Sequence, residues 1–275
     1  MLGCIFAHIE EPNKMKRGIS GVVIAYNEME RIAKCVRSLQ RVCDEVIVVD
    51  SNSTDDTVAV CMQLGCRVFQ QSFLGHIEQK NIAQDKAEYS WVLSLDADEI
   101  LSDSLIEWLM DFRNRSLDLE DNSGSPVAWG FNRLNHLGGK PIRGCGWYPD
   151  QKIRLWRKGL AQWGGTNPHD KIVVKSDYNE RIGYCHCEIL HYTYANYQAV
   201  EIQARKFGRI GGLALRGQQV SRLHLWFKLL SSPWIRWIKN YLLKGGFKYG
   251  KDGWVICYWQ MHETFSKYRY ALFPH

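Results

Sequence analysis

In the first hundred residues the apolar positions gather into short continuous runs, each followed by a stretch with helical spacing. Ile19 to Ala25, EVIVVD (45–50), CRVF (66–69) and SWVLSL (90–95) are the runs. EVIVVD shows no polar alternation, which marks a strand buried on both faces of a parallel sheet. Between the runs, Ile32, Val36 and Leu39 recur at helical spacing, SNSTDDTVAVCMQLG reads as a capped helix and HIEQKNIAQDKAE as a polar-faced one. Strand and helix alternating four times predict a doubly wound α/β sheet. Ligands bind beyond the carboxyl ends of such strands, which places Asp50 and Asp96 on one rim.

The pattern changes near residue 120, where LEDNSGSP has the composition of a turn. From Val127 to about Tyr194 the chain is rich in Gly, aromatics and short β-prone runs such as KIRLW and KIVVK, which predict an antiparallel extension. After Asn196 helical patterning returns in LHLWFKLL and PWIRWIKNYLLKGGFKYGKDG. The expected organisation is a leader (1–17), an α/β half (18–120), a second half of the same domain (121–195) and a C-terminal helical region (196–275).

Composition narrows the function. A chain of 275 residues with 45% hydrophobic content buries a sizeable core and is not disordered. A formal charge of +6 is mild for nucleic-acid binding and suits an anionic membrane surface where cations cluster. Nine cysteines without regular spacing fit a reducing cytosol rather than a disulfide framework. No uninterrupted apolar run has the length of a spanning helix, so the expected membrane contact is peripheral.

The chemistry concentrates at strand ends. Asp96-Ala97-Asp98-Glu99 crowds carboxylates that repel unless a cation or proton compensates. Oxygen ligands of this kind suit Mg²⁺ or Mn²⁺, which bind through one or two carboxylates and substrate phosphates; the alternative is N-capping of the helix at about 102–112. Tyr26-Asn27-Glu28 closes the first strand, and Asp50-Ser51-Asn52-Ser53-Thr54-Asp55-Asp56-Thr57 the second. These three elements, in this order, resemble glycosyltransferase family 2. Asn52 stands where that family usually has Gly, a mild departure because Asn tolerates left-handed backbone angles.

The resemblance implies a GT-A fold in which Tyr26, Asn27, Glu28, Asp50, Ser53 and Asp96 hold the nucleotide sugar and Asp98, with Asp96, binds the metal. Ser53, Thr54 and Asp55 are also expected to cap the second helix, and capping is the alternative role of Asn27 and Glu28. Lys80, in Gln79-Lys80-Asn81, faces either the diphosphate or solvent on a mixed-charge helix.

The second half resembles a narrower group, the lipopolysaccharide inner-core β-1,4-glucosyltransferases, through Gly146-Trp147-Tyr148-Pro149-Asp150, Arg154-Leu155-Trp156-Arg157 and His169-Asp170. Asp170 replaces the usual Glu. The resemblance makes Asp170 the base of an inverting transfer, against the alternative of an acid in a turn after Pro168. Trp147 and Tyr148 are candidates for stacking on sugar, and His169 and His191 for diphosphate or site-shaping contacts, each against a packing role. Trp226, Phe227, Leu230 and Trp234, interleaved with Lys228, Arg236 and Lys239, fit an interfacial helix pair. The combined expectation is hexose transfer, as glucose from a UDP donor, to an inner-core heptose of lipopolysaccharide at the cytoplasmic face of the inner membrane. The alternatives are a family member acting on a polyprenyl-linked, exopolysaccharide or protein acceptor, and a non-catalytic glycan-binding module.

Overall fold

The computed structural model describes residues 15–116, 124–166, 169–218 and 220–273. Most of the leader and of the turn near residue 120 lie outside the described residues. The elements follow the order β1 (Lys16–Ala25), α1 (Ile32–Gln40), β2 (Glu45–Asp50), α2 (Thr57–Gln63), β3 (Arg67–Gln70), α3 (His76–Asp85), β4 (Tyr89–Asp96), β5 (Glu99–Leu101) and α4 (Asp103–Ser116). Then come β6 (Ala128–Leu137), β7 (Lys140–Pro141), β8 (Gln151–Arg157), β9 (Ala161–Thr166), β10 (His169–Val174) and β11 (Ile182–Tyr194), before helices α5 (Tyr197–Arg216), α6 (Arg222–Ile238) and α7 (Gly250–Leu272).

Two compact units result, and they cut across the chain order. One comprises the residues up to Phe131 together with Ile153–Cys185; the other comprises Asn132–Lys152 and His186–His275.

The first unit is α/β. Strands β3-β2-β1-β4 are parallel, and β8 pairs antiparallel with β4. The apolar runs explain the parallel part: Val22, Val23, Ile47, Val48, Val49, Val92 and Leu93 are all buried, so both faces of these strands are covered. Register fixes the rim. Asp50 pairs with Ala25 and Asp96 with Ile24, so the two acids end the strands on either side of β1, next to Tyr26. The KIVVK run forms a separate hairpin, β9–β10, in which Asp170 lies opposite Gly165 and Ile172 opposite Trp163.

The second unit is mainly helical, as expected after Asn196. The Asn196 side chain caps α5 by accepting the Ala199 N–H at 3.0 Å. Helix α5 packs on α7 through glycines: a Cβ at Gly208 would come 2.7 Å from Ser266 Cβ, and one at Gly212 2.7 Å from the Lys267 carbonyl oxygen. Only a residue without a Cβ permits that approach. Among the described residues no helix is long and apolar enough to cross a membrane.

Candidate active site

Two loops at the strand ends are stitched together by short polar side chains. The Asn27 N–H donates to Ser53 Oγ at 2.9 Å, the Glu28 N–H to Thr57 Oγ1 at 2.8 Å, and the Thr54 N–H returns to Asn27 Oδ1 at 2.8 Å. Asp55 accepts the Met29 N–H at 3.2 Å and the Thr57 N–H at 3.0 Å, tying the start of α2 to the Tyr-Asn-Glu turn. Asn27 and Asn52 both adopt left-handed angles, φ 52° and 62°. Asn52 therefore occupies the backbone conformation that makes Gly its natural counterpart.

Beneath this lattice Asp50 is fully buried, accepting the Ser53 N–H at 2.8 Å and the Ser53 hydroxyl. Its carboxylate folds the loop from below, while Tyr26 is exposed and Ser53 half-exposed above it. Asp50 is thus set back from the surface beneath Tyr26 and Ser53.

Next to the loops lies an ion-pair network. Lys80 on α3 is buried, with its Nζ 2.8 Å from Asp96 Oδ1 and 2.8 Å from Asp170 Oδ2. Asp96 Oδ2 takes Arg154 Nη2 at 2.8 Å, and the same nitrogen reaches Glu99 Oε1 at 2.6 Å. Glu99 is fully buried and also accepts the Asp96 N–H at 3.0 Å. Burial alone pushes the Asp96 carboxyl up, yet Lys80 and Arg154 outweigh it and hold the group well below the usual carboxylate range. Burial likewise opposes the charge on Arg154, and Glu99 and Asp96 raise it above its ordinary value.

The sequence left Lys80 open between the ligand and a solvated face; packing buries it instead of leaving it on a solvated face. The indole of Trp163 lies under the cations, 4.2 Å from Lys80 Nζ and 5.6 Å from Arg154 Cζ. Asn81, the next residue on α3, clamps the β9 backbone by donating to the Trp163 carbonyl and accepting its N–H, each at 3.0 Å. That clamp sets the β9–β10 hairpin against α3 and brings Asp170 to Lys80. Arg154 and Trp163 were not among the candidates from sequence. Arg154 sits in the quoted Arg-Leu-Trp-Arg run, and a cation inside a buried strand was the available signal. Its Nε and Nη1 and the Trp163 Nε1 are buried without a hydrogen-bond partner among the described residues.

Asp98 lies on the outer side of the same turn, with 21% of its side chain exposed and Arg31 Nη1 3.9 Å away. Burial raises the Glu28 carboxyl above its ordinary value; Arg31 opposes this, and Asp98 and Asp55 add to it. Glu28 and Asp98 are therefore neighbouring hard oxygen donors whose mutual repulsion a divalent cation would relieve. Asp96 fits a metal less well, because each of its oxygens already receives a side-chain cation. Among the described residues no group of three His, Cys, Asp or Glu side chains could hold a metal, so a cation here needs oxygens from a ligand as well.

Trp147, Tyr148 and His191 belong to the second unit. Trp147 stacks on Tyr194 with centroids 5.1 Å apart, Tyr148 lies under Arg143 at 5.2 Å, and buried His191 places Nδ1 2.7 Å from Asn135 Oδ1. His191 thus has the hydrogen-bonded setting of a packed histidine. Of His169 the backbone is described, opposite Thr166 in the hairpin.

Residues 20–118 match the sequence model of Glycosyl transferase family 2. The chain is 29% identical over 257 residues to an uncharacterized glycosyltransferase of Rickettsia felis, covering 86% of this chain and 83% of that protein. It is 26% identical over 254 residues to the lipopolysaccharide core biosynthesis glycosyltransferase LpsC of Rhizobium meliloti, covering 87% and 86%. Among solved structures, S. aureus TarS 1-349 in complex with UDP-GlcNAc aligns over 91% of each chain at 15% identity and a TM-score of 0.44. The segment 20–118, which is similar to the family 2 glycosyltransferase model, contains the three strand ends that form the carboxylate rim.

Proposed function

We propose that the protein is a metal-dependent inverting hexosyltransferase that moves glucose from UDP-glucose to an inner-core heptose of lipopolysaccharide. The observation that carries this reading is the Lys80 bridge between Asp96 and Asp170. It sets a carboxylate from the hairpin beside the strand ends where sheets of this class bind their ligands.

In this reading Tyr26, Asn27, Glu28 and Ser53 meet the nucleotide, and Asp50 acts through the loop it folds. Asp170 accepts the proton of the acceptor hydroxyl as that oxygen attacks the anomeric carbon and the bond from that carbon to the diphosphate breaks. Lys80 swings from Asp170 toward the departing diphosphate, which frees the carboxylate as negative charge develops on the leaving group. Mg²⁺ or Mn²⁺, held by Asp98 with Glu28, would supply Lewis-acid stabilisation of the diphosphate.

The LpsC relative, similar over most of both chains, supports lipopolysaccharide core as the acceptor. The surface of α6 supports work at an anionic leaflet, on the cytoplasmic face of the inner membrane. Leu223, Phe227, Leu230 and Trp234 form an exposed stripe opposite buried Leu225, Leu229 and Pro233. Between Glu201 and Asp252 the chain has no Asp or Glu, while Lys and Arg recur throughout. An apolar stripe among cations is the pattern of an interfacial helix.

The test is nucleotide release from a panel of sugar nucleotides, with lipopolysaccharide truncated at successive core sugars as acceptor. UDP-glucose should turn over with the acceptor that ends in inner-core heptose, and Asp170→Asn should abolish transfer. Turnover with a polyprenyl-linked or protein acceptor alone, or an Asp170→Asn enzyme that works normally, would overturn the reading.

A further inference from the structure

Helices α5, α6 and α7 of the second unit, with the turn at Gly146 and Trp147, enclose a cleft of ≈ 630 Å³. That is the size range of small-molecule sites. Its walls are chemically divided. Trp147, stacked on Tyr194, and Trp259 contribute flat apolar surface. The polar floor is already ordered: Asn240 donates to Gln260 Oε1 at 2.7 Å, and Gln260 donates to the Cys145 carbonyl at 3.1 Å. Arg236 is committed to Glu263 at 3.1 Å and to the Thr264 hydroxyl at 2.8 Å.

Lys228 and Lys239 are different. Both line the cleft, Lys228 from α6 and Lys239 from the turn that follows Ile238, and neither has an ion-pair partner among the described residues. Two uncommitted ammonium groups beside aromatic walls and an amide floor complement one class of ligand, a saccharide that carries negative charge. Sugar C–H faces pack on indole rings, and a phosphate or carboxylate substituent pairs with the ammonium groups. A neutral glycan would leave the two cations without partners, and a purely lipidic ligand would bury the amides against hydrocarbon. The cleft also opens next to the exposed stripe of α6: Ile235 lines it and is itself exposed.

We propose that this cleft is a binding site for the acidic saccharide of a membrane-anchored acceptor, gripping a charged sugar through Lys228 and Lys239. Its role as an acceptor subsite rests on the transferase reading above; its affinity for acidic sugars does not.

The experiment is calorimetric titration of the full chain with glucose 6-phosphate under saturating UDP, which fills any nucleotide site. Glucose, inorganic phosphate and phosphatidylglycerol vesicles are the comparison probes. Glucose 6-phosphate should bind more tightly than either glucose or phosphate, and the Lys228→Gln/Lys239→Gln variant should bind it at least about tenfold more weakly. UDP binding by that variant should match the parent, which also reports that it is folded. Equal binding of glucose, or an unaffected double variant, would overturn the proposal. Inorganic phosphate binding as well as the sugar phosphate would overturn its saccharide part, and displacement by the vesicles would assign the site to bulk lipid headgroups instead. Failure of the transferase reading would show separately, as absence of UDP binding with the sugar-phosphate isotherm intact.

Discussion

Lys80 and Asp170, 90 residues apart in the chain, meet at 2.8 Å, and the same ammonium group stands 2.8 Å from Asp96. One buried cation thus serves two carboxylates, one from the parallel sheet and one from the hairpin. Removing it should leave like charges facing each other. Lys80→Met is expected to cut transfer by about a hundredfold at pH 7. Lys80→Arg should recover part of the lost transfer; a Lys80→Met enzyme that turns over at the parent rate would show that the bridge does not serve catalysis.

Asp96 gives a stability prediction with a definite sign. Its folded pKa lies below the unfolded value of about 3.9, so the folded state binds fewer protons between the two. The resulting stabilisation is present above about pH 4 and is lost as the pH falls through the folded pKa. Asp96→Asn leaves Arg154 and Lys80 with less compensation and should cost about 3–5 kcal/mol at pH 7. Urea titrations at pH 7 and pH 3 should show the gap between variant and parent narrowing in acid.

The metal assignment separates Asp98 from Asp96. Chelation should abolish transfer, and added Mg²⁺ or Mn²⁺ should restore it. Asp98→Asn should raise the metal concentration for half-maximal activity by at least about tenfold, in line with the loss of a hard anionic ligand. Chelator-insensitive turnover in the parent would remove the metal from the mechanism.

Asn52 at φ 62° offers a test of the loop itself. Asn52→Gly should be close to neutral, whereas Asn52→Val should lose about 1–2 kcal/mol from the cost of left-handed angles at a residue with a Cβ. The readouts are thermal denaturation and UDP affinity, which should fall together in the Val variant if the loop holds the nucleotide.

For α6, Phe227→Ser/Trp234→Ser should reduce co-sedimentation with phosphatidylglycerol vesicles without changing UDP binding. Raising the salt should weaken the binding of parent and variant, since the neighbouring cations act through screened attraction. Equal sedimentation of the two proteins would mean that the stripe does not touch lipid.

Local pattern was enough to read the parallel half. Val46 to Val49 and Val92 to Leu95 are continuous because both faces of those strands are covered, and a period is visible in sequence wherever neighbours in the chain share a face. The same holds for the acids at strand ends, for the left-handed Asn52 and for the helices after Asn196. What the chain by itself did not determine is which charges meet. Lys80 lies in a run of mixed charge that is compatible with solvent, and only the docking of the β9–β10 hairpin through Asn81 buries it between Asp96 and Asp170. Arg154 looks like one polar residue in a strand until β8 pairs with β4 and carries it to Asp96 and Glu99. Ion pairs and burial depend on side chains tens of residues apart approaching within a few ångströms, and that proximity is a property of tertiary packing, which no local period encodes.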